Sequence, residues 1–221
     1  MLKLIETGDK SYSFRDEVLN ETYHSVHGAE AESLHVFIKS GLDYFAASSK
    51  ERDIHILEVG LGTGLNAILS LEWLNKHPDK RIVYQAIEPF PIQKQLVIQL
   101  LEVTENPERA ASLEQIHFSD WEQPTILNSQ FTFMKHKVAL GDYQTSDSFS
   151  IVYFDAFGPQ VQPEMWTQEM ICKSTESLLE GGIWVSYCAK GQVRRNLINC
   201  GMKVERLAGP PPKREMLRAK R

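Results

Sequence analysis

Cysteine is scarce here. Cys172, Cys188 and Cys200 are the only three, they are scattered, and no two form a CxxC pair. That excludes a disulfide framework and a thiolate metal knuckle, and leads to the expectation of three reduced thiols. Long apolar runs are missing as well: none approaches the ~20 residues of a membrane span. The opening "MLKLIETGDKSYSF" has neither the apolar core nor the small-residue cleavage site of a secretory leader, so a cytoplasmic location is expected. Internal repeats and low-complexity segments are absent. What remains is an ordinary globular composition of 221 residues, suited to one compact unit.

Charge, by contrast, is unevenly spread. From Lys190 to Arg221 there are ten basic and two acidic residues, a local charge of +8. The preceding chain carries 14 basic and 27 acidic residues, or −13. An acidic body with a basic C-terminal segment suits a protein with one face toward an anionic partner such as nucleic acid, although a solvated tail would read the same.

Periodicity orders the chain into alternating elements. "KLIET" and "SYSFRD" read as two strands joined across Gly8 and Asp9. "ETYHSVHGAEAE" reads as loop, then Leu34, Phe37, Ile38, Leu42 and Phe45 fall at helical spacing. Next come the strand "DIHILEVG", a helix to about His77, the strand "RIVYQAIEPF", and the helix "PIQKQLVIQLLEV" opened by Pro91. The strands "FTFMKHKVAL" and "FSIVYFDAFG" follow, and then a helix over "QPEMWTQEMICKSTESLL" closed by Gly181-Gly182. The strand "IWVSYC" leads to the helix "AKGQVRRNLINCG". Finally, "KVERLAG" and "REMLRAK" can pair as an antiparallel edge. The expected fold is therefore α/β, with a mostly parallel sheet, an antiparallel C-terminal edge and a small N-terminal β-hairpin extension. Residues 1–50 form the N-terminal hairpin and helix in this division, and residues 51–221 the catalytic unit.

Ligands of such sheets bind beyond the carboxyl ends of the strands. Glu58, Glu88, Asp142 and Asp155 all fall at or just past expected strand ends. Between the first of these and its helix lies "EVGLGTG", where Gly60, Gly62 and Gly64 are spaced GxGxG rather than the GxGxxG of a dinucleotide turn. Glycines let backbone approach a ligand closely. A carboxylate beside the turn would repel a pyrophosphate but welcomes a ligand with a cationic amine next to an adenosine, as in S-adenosylmethionine. Glu88, 24 residues past Gly64, is placed to accept from both ribose hydroxyls, and Asp142 or its neighbours from the adenine side. The candidate cofactor residues are thus Glu58, Gly60, Gly62, Gly64, Asn66, Glu88 and Asp142.

Asp155 ends the central strand where the cofactor's methyl group would lie, and Gly158 and Pro159 shape the loop after it. Asp155 is the candidate catalytic residue, with two roles open: orienter of an acceptor amine, or its proton acceptor. Tyr23, Phe157 and Trp166 are candidates for the substrate pocket, with core packing as the competing role for Trp166. Lys190, Arg194, Arg195, Lys213, Arg214 and Arg218 are candidates for phosphate contacts. His24, His27 and His35 lack the thiol or acid that would complete a metal set, so no metal is expected.

Several separated motifs carry a family resemblance. "LEVGLGTGLNA", "IEPFP", "FDAFGPQVQPEMWTQEM", "PPPKREM" and "NETYHSVHGAEAESLHVFIKSGL" resemble the methyltransferase domain of the bifunctional wobble-uridine enzymes called MnmC, and more closely their free-standing relatives, often called MnmD. The resemblance spans about residues 5 to 218. It implies a Rossmann-like class I S-adenosylmethionine-dependent methyltransferase acting on the anticodon loop of transfer RNA. The reaction it implies converts the 5-aminomethyl group of wobble uridine, usually 2-thiolated, to 5-methylaminomethyl. The sequence carries no second glycine fingerprint, so the FAD-dependent oxidase half is expected to be absent and a separate enzyme to supply the aminomethyl group. One departure stands out: the family's lysine after the aspartate, in "DGFAPAKNP", is Val161 here, preceded by Gln160. Other readings of the same residues are an aminopropyltransferase of the spermidine-synthase kind, a methyltransferase for another amine, and a non-catalytic RNA-binding module.

Overall fold

The computed structural model describes residues 1–144 and 148–221. Three short strands, β1 (Leu2–Glu6), β2 (Tyr12–Asp16) and β3 (Glu21–Thr22), form an antiparallel sheet at the N-terminus. The expected hairpin therefore has a third strand, drawn from residues expected to be loop; Arg15 pairs with Thr22 and Asp16 with Glu21. A continuous helical rod follows: α1 (Ala29–Ser33), a π-helical stretch (Leu34–Asp43) and α2 (Tyr44–Ser48). In the wider π turn the buried set is Val36, Phe37, Ile38, Gly41 and Leu42, while Leu34 faces solvent. Gly41 lets the rod lie flat on the sheet, since a Cβ there would come within 3.1 Å of Tyr153 and 3.2 Å of Val185.

The main sheet has eight strands: β4 (Asp53–Val59), β5 (Arg81–Ile87), β6 (Thr125–Asn128), β7 (Phe131–His136), β8 (Phe149–Phe154), β9 (Leu178–Ser186), β10 (Lys203–Ala208) and β11 (Glu215–Lys220). Their order is β10-β11-β9-β8-β4-β5-β7-β6. The five central strands run parallel, and antiparallel pairs close both edges. The helices are α3 (Leu65–Trp73), α4 (Lys94–Val103), α5 (Pro107–Phe118), α6 (Gln168–Glu176) and α7 (Gly191–Asn199). No described helix is long and apolar enough to cross a membrane.

Alternation along the strands builds two cores. Ile54, Ile56, Tyr84 and Tyr153 face α3 and the π-helical stretch, while Leu57, Val152, Phe154 and Trp184 face the side of α7. Four further readings are corrected. α5 and β6 lie where periodicity assigned nothing, so the β6 edge is also antiparallel. α4 starts at Lys94 rather than at Pro91, because the intervening turn folds back to Glu88. Gly181-Gly182 does not stop a helix: α6 ends at Glu176, and the glycines make an irregular bend inside β9, with φ +77° at Gly181.

The fourth correction concerns the thiols. Cys172 on α6 and Cys200 just after α7 form a disulfide across 28 residues, leaving only the buried Cys188 free among the described cysteines. Sequence spacing does not reveal the pair because the intervening strand β9 brings α7 back beside α6. Closing a loop of this length is worth about 3–4 kcal/mol on chain-entropy grounds. Addition of reductant to the oxidised protein is expected to lower its thermal midpoint by several degrees; an unchanged midpoint would show that the bond contributes nothing.

Candidate active site

The winding reverses between β4 and β8, and the crevice at their carboxyl ends is the candidate site. The chain leaves β8 with Asp155 N–H still bonded to the Val59 carbonyl (2.9 Å), so Asp155 remains in register with the end of β4. Glu58, paired in register with Tyr153, projects into the α3 face and is fully buried. Asn66, in the first turn of α3, meets it there. The Asn66 Nδ2 group donates to Glu58 Oε1 (2.8 Å) and to Asp155 Oδ2 (2.8 Å). Thus one carboxamide joins two acids from separate strands.

The electrostatics follow from burial. The buried setting pushes Glu58 well above the usual carboxylate range, and the neighbouring Asp155 charge adds to this. Burial raises Asp155 to about 7, with the hydrogen bond from Asn66 opposing the rise. Glu58 Oε2 and Asn66 Oδ1 are buried oxygens without a hydrogen bond of ordinary geometry.

The glycine turn sits directly above. Gly60 adopts φ +97°, and a Cβ on it would lie 2.7 Å from the Asp155 carbonyl oxygen. Gly62 has φ +51°, with the Tyr23 ring 3.0 Å from where a Cβ would be, and Gly64 has φ +78° as the residue before α3. From below, His117 Nε2–H donates to the Thr63 carbonyl (2.9 Å); burial holds that imidazole neutral, near 4. The buried Lys135 in turn caps the α5 carbonyls of Ile116 and His117. Glu88 accepts from Gly62 N (3.2 Å) and Phe90 N (2.9 Å), which aims its carboxylate at the turn and leaves further lone pairs open. Gly60→Ala is expected to lose stability by about 2–3 kcal/mol, from the positive φ and the clash together. It should also weaken S-adenosylhomocysteine binding at least tenfold by calorimetry. Unchanged binding would remove the turn from the site.

Beside these groups opens a cavity of about 920 Å³. Asp155, Tyr23, Phe157, Gly158, Pro159, Lys190, Lys213 and Arg214 all line it, as do Gln160 and Val161. The Tyr23 ring stands edge-on to Phe157 at 5.0 Å, between cavity and glycine turn. Burial, and then the Glu88 charge, push its phenol up to about 12. Glu32 and Tyr187 are two lining residues absent from the sequence candidates. Glu32, buried on α1, accepts from Ser25 N (2.9 Å) and pairs with Lys213. Tyr187, just past β9, donates to the Ala156 carbonyl (2.8 Å) and carries the Lys213 ammonium 4.0 Å over its ring. The strand-end rule that selected the acids also selects Tyr187. Nothing local selects Glu32, which reaches the cavity only through packing of the N-terminal helix.

Other candidates lie elsewhere. Trp166 is 4% exposed; its Nε1–H donates to the Phe157 carbonyl (2.7 Å), so it packs beneath the loop instead of stacking on a substrate. Asp142 is exposed and lines a separate cavity with Gln85, Glu122 and His136. Arg218 is held by Glu205 (2.8 Å), donates to the Ser40 carbonyl and stacks on Tyr44, so it braces β11 and offers no free phosphate contact. Arg194 and Arg195 lie on α7, with Arg194 one turn from Lys190 on the same face. Among the described residues, no group of three or more His, Cys, Asp or Glu could hold a metal ion. His24 and His35 bond Ser13 and the Ala208 carbonyl instead.

Comparison with known proteins bears on this geometry. Residues 99–221 match the profile of a family described as S-adenosyl-L-methionine-dependent methyltransferase. The chain is 26% identical over 209 residues to the tRNA 5-methylaminomethyl-2-thiouridine biosynthesis bifunctional protein MnmC of Hydrogenovibrio crunogenus, covering 90% of this chain and 31% of that one. The protein of the same name from Leptospira interrogans is 25% identical over 213 residues, covering 91% and 32%. The chain therefore spans about a third of the length of these curated relatives. Among solved structures, MNMC2 from Aquifex aeolicus superimposes with a TM-score of 0.76 at 24% identity, covering 99% of this chain and 70% of that one. Spermidine synthase from Thermotoga maritima superimposes at 0.56 with 11% identity, which shows a shared fold.

Proposed function

Because the chain belongs to the S-adenosyl-L-methionine-dependent methyltransferase family, we propose that its acceptor is the 5-aminomethyl group of wobble uridine in transfer RNA, which it converts to 5-methylaminomethyl. One observation carries this reading: a single cavity has the Asp155 carboxylate at its floor and Lys190 and Arg214 at its exposed rim. A carboxylate suits an amine, and exposed cations suit the phosphates on either side of a base splayed out of a single-stranded loop. The relatives named above are biosynthetic proteins of the corresponding modified uridine.

The residues present fit the cofactor. Gly60, Gly62 and Gly64 would admit its backbone-hugging part and Glu88 its ribose hydroxyls, whereas Glu58, fully buried and bonded to Asn66, braces the crevice from behind and offers the cofactor no exposed charge. When bound, S-adenosylmethionine supplies a methyl group on a sulfonium centre. Everything else falls to the chain. An aliphatic amine is protonated near neutrality, with an ordinary pKa of ~10, and must shed a proton to become a nucleophile. Asp155, ionised above about 7, can accept that proton or hold an N–H while charge develops on nitrogen. Tyr23 and Phe157 wall the acceptor in, which excludes water and restricts its approach. Since uridine itself carries no such amine, a preceding reaction has to install the aminomethyl group.

The test is incubation with tritiated S-adenosylmethionine and transfer RNA rich in 5-aminomethyl-uridine, with nucleosides then resolved by mass. Label in 5-methylaminomethyl-uridine supports the proposal. Label absent from RNA but present in putrescine or a protein amine would reassign the acceptor.

A further inference from the structure

We propose that Asn66 is the positioning residue of the Asp155 carboxylate: one amide hydrogen anchors on Glu58 while the other fixes Asp155 Oδ2, leaving Oδ1 as the oxygen offered to a ligand in the cavity. The inference rests on the role given to Asp155 above. It moves Asn66 from the cofactor set to the carboxylate that faces the acceptor.

Geometry carries it. A primary amide nitrogen has two hydrogens, and both are engaged here at 2.8 Å by acids from different strands. Glu58 has no solvent exposure, is paired across the sheet with Tyr153 and interacts with the Tyr84 phenol. Two neighbouring carboxylates in such surroundings do not ionise together, so the more buried Glu58 keeps its proton and Asp155 carries the charge. Glu58 then serves as a neutral, immobile acceptor for one Asn66 hydrogen. The amide is thereby aimed at Asp155. Its place in the first turn of α3, directly after the Gly64 turn, gives the side chain a rigid base. The glycine turn and the Asp155 carboxylate are consequently mounted on the same helix end.

The surroundings of Asp155 define what pH does to it. From α1, Glu32 opposes its ionisation; from the β10–β11 connection, Lys213 favours it. Tyr187, past β9, stays neutral because burial holds its phenol far above the ordinary value. Tyr84 and Tyr153 are held up in the same way. Asn66 is the hydrogen-bond donor to the carboxylate among these groups.

The experiment is a carbon-13 carboxyl NMR titration of Asp155 in the protein without substrate, comparing wild type with Asn66→Leu, which keeps the volume but has no donors. The expected result is a midpoint about one pH unit higher in the variant, from loss of a charge-assisted hydrogen bond. The acid limb of kcat should move by the same amount, with KM changed less than twofold. An unmoved midpoint in a natively folded variant would overturn the proposal. A wild-type measurement needs no variant: the Asn66 Nδ2 hydrogens should shift with the Asp155 midpoint, and resonances flat from pH 5 to 9 would equally overturn it. If the Asp155 midpoint moves but transfer RNA is never methylated, the positioning role stands and the proposed substrate falls. Methylation with an unmoved midpoint keeps the substrate and removes the positioning role.

Discussion

Asp155→Asn is expected to lower turnover by about two to three orders of magnitude while changing S-adenosylhomocysteine affinity by less than about threefold. The reasoning is local. Asn66 Nδ2 occupies Oδ2 of the aspartate, so an asparagine at 155 must turn its own carbonyl toward Asn66. Its amide hydrogens then face the cavity. A donor meets the acceptor amine where an acceptor stood, and neither proton removal nor stabilisation of developing positive charge is possible. Cofactor contacts assigned to Gly60, Gly62 and Glu88 are untouched by the exchange. In the wild type the sign of the pH effect follows from the same group. Burial raises Asp155 to about 7, so turnover should climb with a midpoint near that pH as the carboxylate ionises. The variant should lack this limb. Steady-state kinetics over pH 5.5–9 beside calorimetric titration of S-adenosylhomocysteine will check both parts. Equal losses in turnover and affinity would show that Asp155 merely supports the cofactor site.

Binding of transfer RNA is expected to weaken about fiftyfold between 50 and 200 mM salt. Lys190, Arg194, Arg195 and Arg214 are the basic residues at or beside the cavity rim that remain for phosphates, because Arg218 is paired with Glu205 and Lys213 with Glu32. Four contacts at a slope of about −0.7 each give that figure, since each displaced counterion contributes separately. Replacing Lys190 and Arg194 together by alanine should flatten the slope by about half without altering cofactor binding. A salt-insensitive affinity would mean that RNA is held elsewhere or is not the partner.

Much of the scaffold was legible because buried strands and amphipathic helices leave strong local periodicities. The runs at 53–59, 81–87 and 149–154 announced parallel strands, and "GLGTG" announced the tight turn between strand and helix, with positive φ at three glycines. The antiparallel pairing of 203–208 with 215–220 was legible for the same reason. The misreadings arose where one residue type serves two purposes. Glycines at 181 and 182 bend a strand as readily as they cap a helix, and Trp166 is as suited to a core as to a base. β3 is two residues long, too short to show alternation, and the π-helical stretch breaks the 3.6-residue spacing on which the reading relied.

Residue order alone thus determined the α/β framework, the glycine turn and the presence of acids at strand ends, since each depends on neighbours along the chain. Which acids share a site was decided only by packing. Glu58, Asn66 and Asp155 are separated by 8 and 89 residues, yet two 2.8 Å hydrogen bonds unite them. Asp142, another aspartate expected at a strand end, lies well past the end of β7 and lines another cavity. Glu32 and Tyr187 joined the site, Lys213 and Arg218 were claimed by partners, and Cys172 met Cys200, all through contacts between elements. Local sequence specifies backbone angles and amphipathic faces. Proximity, and with it the dielectric that raises one carboxylate above another, exists only after distant faces are buried against each other.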